Sequence, residues 1–355
     1  MNTILKISGL FFFLLIIVVI LEISAHIIFP NFADDKKFLN LAYNRLLNSQ
    51  VLIDPTSDNY SKKFGFQLSP NSEKIFTTEE FRYKSKTNSL GFRTKEIEEK
   101  RDDEYRLLLV GDSMFWGVGV EEEDTISAIM EKSGKTKLSV YNYSVSGYNT
   151  VQELIVAKEY IERVEPDQVI LGFFIANDII PNAVTYIDED GNYRNSAEIS
   201  EEIKEQLKDR FGIFYNSVIF RIVALSVYVP RLRYQIASSS EVIAKSYILI
   251  DQFDKLAKKN SIKFSIVIFY PRDSIQGGIV EKWSNSINTG KLIASFCHQN
   301  SIEVLDILDY MNTADDKKKY FFKHDGHPNR EGNAVIGEAI FRDLVEPHIK
   351  LYTGN

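Results

Sequence analysis

Two side chains in this sequence have chemistry that would belong together. Ser113 lies in Val110-Gly111-Asp112-Ser113, and His327 lies in Lys323-His324-Asp325-Gly326-His327-Pro328. A serine hydroxyl is a weak nucleophile until a base takes its proton, and an imidazole does so best when a third group orients it. Asp325 is the carboxylate nearest to His327 in sequence. Asn177, in Ile175-Ala176-Asn177-Asp178, and Gly147, after Ser146, carry N–H groups of the kind that stabilise an oxyanion. Asp112 reads as a structural turn residue. Taken singly these are ordinary pieces: Gly-Asp-Ser serves as a turn with a helix cap, and Asn-Asp and Ser-Gly are common loop dipeptides. Taken together they describe acyl transfer through a serine.

Such residues need a scaffold that brings them to one place. Arg106–Val110 is a short, mostly apolar run that suits a strand buried on both faces. Similar runs follow at Leu138–Tyr143, Gln168–Phe174, Phe264–Tyr270 and Ile302–Leu305, with helical stretches clearest at Thr125–Lys132, Val151–Val164 and Thr289–His298. Strand and helix alternating at this spacing predict an α/β fold with a parallel sheet and helices on both faces. Ligands bind beyond the carboxyl ends of the strands in such folds. Ser113, Gly147 and Asn177 each follow one of these runs, and His327 precedes a helix with the apolar face Ile336, Ala339, Ile340 and Leu344.

With 44% apolar and 26% charged residues, the 355-residue chain has the composition of a globular protein. Its net charge of -7 argues against general nucleic-acid binding, which needs a basic surface. The single cysteine, Cys297, excludes an intrachain disulfide and a multi-cysteine metal site. Ile7–Leu21 is nearly pure hydrocarbon, and the apolar character resumes after Glu22 through Phe29. That length suits a membrane-crossing helix, read as an uncleaved signal anchor in preference to a cleaved signal peptide, with the remainder outside the cytoplasm.

The expected organisation is an anchor at 1–30, a stalk with a short extended segment at 31–103, and a catalytic domain at 104–350. That domain carries a helical insertion at about 182–262. Within it Glu201–Arg210 reads as a charged helix, and the apolar stretch Gly212–Val229 as a helix packed on the sheet, or alternatively a second membrane contact or lid.

The order of these blocks resembles the SGNH hydrolases, also called the GDSL family, over roughly residues 104–347. Gly111-Asp112-Ser113 is similar to the nucleophile block, Gly147 to the oxyanion glycine, Asn177-Asp178 to the asparagine block, and Asp325-Gly326-His327-Pro328 to the block of acid and base. The chain departs from the usual pattern in Ile175 for a glycine, Met114 for a leucine, and an acid two residues before the histidine, with His324 at the usual third place. The resemblance implies a flavodoxin-like three-layer α/β/α sandwich, catalysis by Ser113, His327 and Asp325, and an oxyanion hole of the Ser113 N–H, Gly147 and Asn177. It implies neither metal nor organic cofactor. The expected activity is hydrolysis of an ester, most directly removal of a small acyl group from a surface glycan. Transfer of an acetyl group to such a glycan, with a membrane-embedded acyl donor partner, uses the same residues. A catalytically inactive carbohydrate-binding relative is the third reading.

Overall fold

The five apolar runs become the five strands of one parallel sheet: Tyr105–Val110, Leu138–Asn142, Gln168–Phe174, Lys263–Phe269 and Glu303–Asp306. These come from a computed structural model that describes residues 2–47, 59–195, 211–277, 285–311 and 317–352, with 201, 205, 208 and 209 between. Numbered along the chain, the strands lie in the order 2-1-3-4-5, the doubly wound flavodoxin-like order. The register sets Leu107 beside Val140, Leu109 beside Ile170, Ile266 beside Leu171 and Val267 beside Leu305. Every residue of the first two strands is buried, which is why they read as apolar runs without alternation.

The step from the first strand to the second runs one way across the sheet, and every later step runs the other. Right-handed crossovers then place the helices in two layers. Ile126–Gly134 packs with Arg330–Ile340, while Thr150–Val164 and Ile175–Val184 pack with Ser240–Lys259. The reversal falls between the first and third strands, the point at which such sheets bind ligands.

The chain forms two compact units, one of residues 49–195 and 234–355, the other of 1–48 and 196–233. The first holds the sheet. It also takes in residues 59–103, expected as stalk leading into a short extended segment at 81–94 with a turn at Asn88–Gly91. Hairpins form at 60–66 and 73–86, the strand Arg82–Lys86 falls in that extended segment, and the Gly91 amide closes the turn on the Asn88 carbonyl. Ser240–Lys259 is a 20-residue helix with Ser239 at its N-cap, and it forms the ordinary crossover into the fourth strand. The eighty-residue insertion therefore shrinks to a short hairpin, Thr185–Ile187 with Tyr193–Asn195, and the part assigned to the other unit.

Gly212–Val229, expected to pack on the sheet, belongs to that second unit. It packs with the N-terminal helices Asn2–Ile28, Pro30–Ala33 and Asp35–Leu47. Two charged residues within apolar runs explain the pairing. The Glu22 carboxylate accepts hydrogen bonds from the Ser217 hydroxyl at 3.0 Å and from the amides of Val218 and Ile219, at the first turn of the helix Val218–Val223. Those amides are the unpaired donors of a helix start, which favour an anion. Arg221, 2% exposed, donates to the carbonyls of Tyr215 and Phe32 and pairs with Asp35, with the Phe38 and Tyr215 rings against its guanidinium.

Glu201–Arg210 falls largely outside the described residues. Among the described residues no helix is long and apolar enough to cross a membrane; the expected span 7–29 includes side chains outside the described set, whose description begins at Phe13.

Candidate active site

The first strand ends at Val110, and Gly111-Asp112 turns the chain into the short helix Ser113–Trp116. Asp112 is the N-cap: its Oδ1 accepts from the Met114 amide at 2.9 Å. Gly117 ends the helix with φ +83°, where a Cβ would stand 2.8 Å from the Thr125 methyl. The Phe115 ring fills the space above Gly172 on the third strand, 2.7 Å from where a Cβ would be. A side chain at that strand position would displace the ring and, with it, the serine.

The helix is also held from outside. Arg93, 1% exposed, donates to the carbonyls of Trp116, Gly117 and Val120 and pairs with Glu122. A guanidinium suits this task because its donors are fixed in a planar fork.

The sequence-predicted base and acid meet the serine. His327 Nε2 lies 2.8 Å from Ser113 Oγ, and His327 Nδ1 lies 2.6 Å from Asp325 Oδ1. An ionised carboxylate can only accept, so Nδ1 carries the proton and Nε2 faces the hydroxyl as acceptor. The same Asp325 oxygen accepts from the His327 amide at 2.9 Å, closing the two-residue spacing into a tight ring. The hydrogen bond from His327 chiefly holds the Asp325 carboxyl below its ordinary range, against a burial that would raise it. Asp325 is thus available as an anion. His324, at the place usual for the acid, instead donates its backbone amide to Glu80.

Gly147 and Asn177 come to the same carboxyl edge. Gly147 follows the second strand with φ +90°, a conformation that favours glycine. Asn177 lies in the helix Ile175–Val184 that opens directly at the end of the third strand. Its side-chain amide donates to Asp112 Oδ2 at 3.1 Å and to the Tyr148 carbonyl at 2.9 Å. Asn177 therefore ties the nucleophile turn to the Gly147 loop. The backbone amides of Ser113 and Gly147 donate to no partner among the described residues.

Asp112 is fully buried, and burial pushes its carboxyl up to about 6. Behind it lie Asp178 and Glu153, both buried; burial and the mutual repulsion of neighbouring carboxylates hold them well above the ordinary range. Asp178 accepts from the Phe174 amide at 2.7 Å, whereas both Glu153 oxygens lack a partner among the described residues. Among the described residues no group of His, Cys, Asp and Glu could hold a metal ion.

Three residues around this site were missed in the sequence. Glu80 comes from a segment without helical or strand periodicity, and Arg93 from the short extended segment 81–94 that follows it. Arg272 stands just beyond the fourth strand, a place where the fold rule alone could have singled it out.

A serine, an imidazole and a carboxylate are hydrogen-bonded in series at the carboxyl edge of a doubly wound sheet, the arrangement in which a serine hydroxyl, its base and the base's orienting acid can carry acyl transfer. Residues 107–340 match the GDSL-like Lipase/Acylhydrolase family, and the chain belongs to it. It is accordingly an ester-bond hydrolase. Similar solved structures include a lipolytic protein of the G-D-S-L family from Veillonella parvula, 14% identical over 68% of this chain and 98% of that one, with a TM-score of 0.41. A lipase/acylhydrolase from Enterococcus faecalis is 14% identical over 68% and 96%, TM-score 0.41. A carbohydrate acetylesterase family member from Sinorhizobium meliloti is 12% identical over 71% and 100%, TM-score 0.41. Comparison with curated proteins gives no match.

Proposed function

We propose that the chain removes a small acyl group, such as acetyl, from a glycan outside the cytoplasm, through an acyl-enzyme on Ser113. The observation that carries the mechanism is the unbroken series Ser113–His327–Asp325, at 2.8 and 2.6 Å. His327 takes the serine proton as the oxygen attacks the ester carbonyl, then returns it to the leaving sugar oxygen. Asp325 stabilises the imidazolium formed between these steps. The Ser113 and Gly147 amides and the Asn177 side chain receive the oxyanion, with Asn177 sharing a hydrogen now directed at Tyr148 or Asp112. Water, activated by the same imidazole, releases the acyl group.

The place of action rests on the N-terminal helix. Ile7–Phe29 is proposed to anchor the protein in a membrane, and its described side chains support this. Leu14, Val18, Val19, Ile20, Ile23 and Ile27 are all more than 45% exposed, on every side of the helix. A helix apolar all round needs an apolar surrounding. Glu22, the charge that would oppose burial, is satisfied by the start of the helix Val218–Val223. An anchored outward-facing esterase meets glycans as its acylated polymers.

The test is turnover by the full-length protein of a small chromogenic ester and of an O-acetylated polysaccharide, beside Ser113→Ala. Acetate release from the polysaccharide, lost in the variant, supports the proposal. Release that requires an added sugar acceptor would replace hydrolysis by transfer.

A further inference from the structure

The loop that carries His327 and Asp325 is gripped from two sides by residues outside the serine–histidine–aspartate series. On one side is Glu80, in the turn between the strands Glu73–Thr77 and Arg82–Lys86. One of its oxygens accepts from the His324 amide at 2.9 Å and the other from the Asp325 amide at 2.7 Å. On the other is Arg272, from the carboxyl end of the fourth strand. Its Nη1 donates to the carbonyls of Phe322, Lys323 and Asp325 at 3.2, 2.8 and 3.2 Å. The anion thus takes the loop's N–H groups and the cation its C=O groups, at residues adjoining or within the acid–base pair. Hydrogen bonds to a charged partner are about twice as strong as neutral ones.

The neighbouring contacts run the same way. The Phe81 and Phe322 rings pack with centroids 4.7 Å apart, and Gly119 lies so close to Phe322 that a Cβ would stand 2.4 Å from the ring. Glu80 lies outside the matched family region 107–340, in a segment that would otherwise be a spacer.

We propose that Glu80 and Arg272 are positioning residues that clamp the Phe322–Asp325 backbone and thereby set His327 against Ser113. This rests on the serine–histidine reading above. Neither residue is needed for the proton transfers themselves. What they supply is the placement of the imidazole, and a misplacement of about 1 Å costs on the order of 100-fold in rate.

The experiment uses the full-length protein in detergent, with Glu80→Ala, Glu80→Gln and Arg272→Met beside wild type. Two measurements are made: steady-state kinetics on p-nitrophenyl acetate, giving kcat and KM, and hydrogen exchange of the His324 and Asp325 amides. The proposal expects kcat to fall about 10- to 100-fold in Glu80→Ala and Arg272→Met, with KM within about twofold. Glu80→Gln keeps an acceptor oxygen and should recover part of the loss. Amide exchange should quicken at His324 and Asp325 in both Glu80 variants. Faster exchange with unchanged kcat would overturn the proposal, because the clamp would then be structural only. Unchanged exchange in Glu80→Ala would overturn it as well, by removing the contact. A wild type that does not turn over the ester, or a Ser113→Ala control that turns it over at the wild-type rate, overturns the serine–histidine reading instead, and the exchange data still report on the clamp's contacts in that case.

Discussion

Asp325→Asn isolates the role of charge in the acid–base series, because it leaves the shape of the side chain nearly unchanged. Asp325 Oδ1 receives two donors, the His327 ring at 2.6 Å and the His327 amide at 2.9 Å. An asparagine oxygen in that place can still accept from both, but the charge that favours the imidazolium is gone. A hydrogen bond to a charged group is worth about 1.5–3 kcal/mol net, and each 1.36 kcal/mol is tenfold in rate. The lost stabilisation alone therefore lowers kcat by roughly 10- to 150-fold. If the amide turns its NH2 toward Nδ1, the ring must take the other tautomer and present N–H to the serine. The loss then approaches about 10,000-fold, as in a triad with the same substitution. KM should move little, since Asp325 is placed behind the imidazole rather than against the substrate. Steady-state kinetics on p-nitrophenyl acetate, with a melting curve to establish folding, provide the assay. A folded variant within threefold of wild type in kcat would refute the reasoning and remove Asp325 from the mechanism.

Asn177→Ala should lower kcat about 100- to 1000-fold if its amide is an oxyanion donor, and an unchanged kcat in a folded variant would leave Asn177 as only a tie between Asp112 and Tyr148. Glu153→Gln should gain stability over wild type as pH rises. The native carboxyl titrates well above its ordinary value because it is buried beside Asp178. Below the unfolded value both states hold the proton; above it only the unfolded chain releases it, so wild-type stability falls by up to about 1.4 kcal/mol per pH unit until the native group ionises. Urea unfolding at pH 5 and pH 8 checks this, and a variant whose advantage does not grow between them contradicts it. The anchor proposal predicts that the full-length protein stays with membranes through alkaline carbonate extraction. External protease should digest the catalytic unit in spheroplasts; release by carbonate, or protection from protease, would count against it.

The five strands were legible because each is buried on both faces and so appears as an unbroken apolar run, Leu107–Val110 being the clearest. Ser113, Gly147 and Asn177 were legible for a related reason: each sits three to five residues past a strand end, where the fold concentrates chemistry. His327 and Asp325 were found by proximity in sequence. Arg93 and Glu80 act through backbone carbonyls and amides of other segments, and no local pattern marks such a contact; Arg272 was marked only by its place just past the fourth strand. In the segment 59–103 the extended stretch around Arg82–Lys86 and the turn Asn88–Gly91 were legible, but the hairpins were not, because their strands are short and mostly exposed; Glu73–Thr77 has no buried residue at all. The helix Asp35–Leu47 was also missed, since its inward residues Phe38, Ala42 and Tyr43 are too few to stand out among polar neighbours. The apolar stretch 212–229 announced that it must be covered without naming its cover. Its partner was set by Glu22 and Arg221, two charges whose mates lie about 190 residues away in sequence.

The central claim is that Ser113 is a nucleophile activated by His327, and active-site labelling tests it most directly. The full-length protein, treated with a fluorophosphonate and digested, should carry one adduct, on the peptide containing Ser113, when read by mass spectrometry. His327→Ala should slow that labelling at least 100-fold while the protein stays folded, because the hydroxyl is then left without its base. An unlabelled Ser113 in wild-type protein, or labelling at the wild-type rate in His327→Ala, would contradict the account.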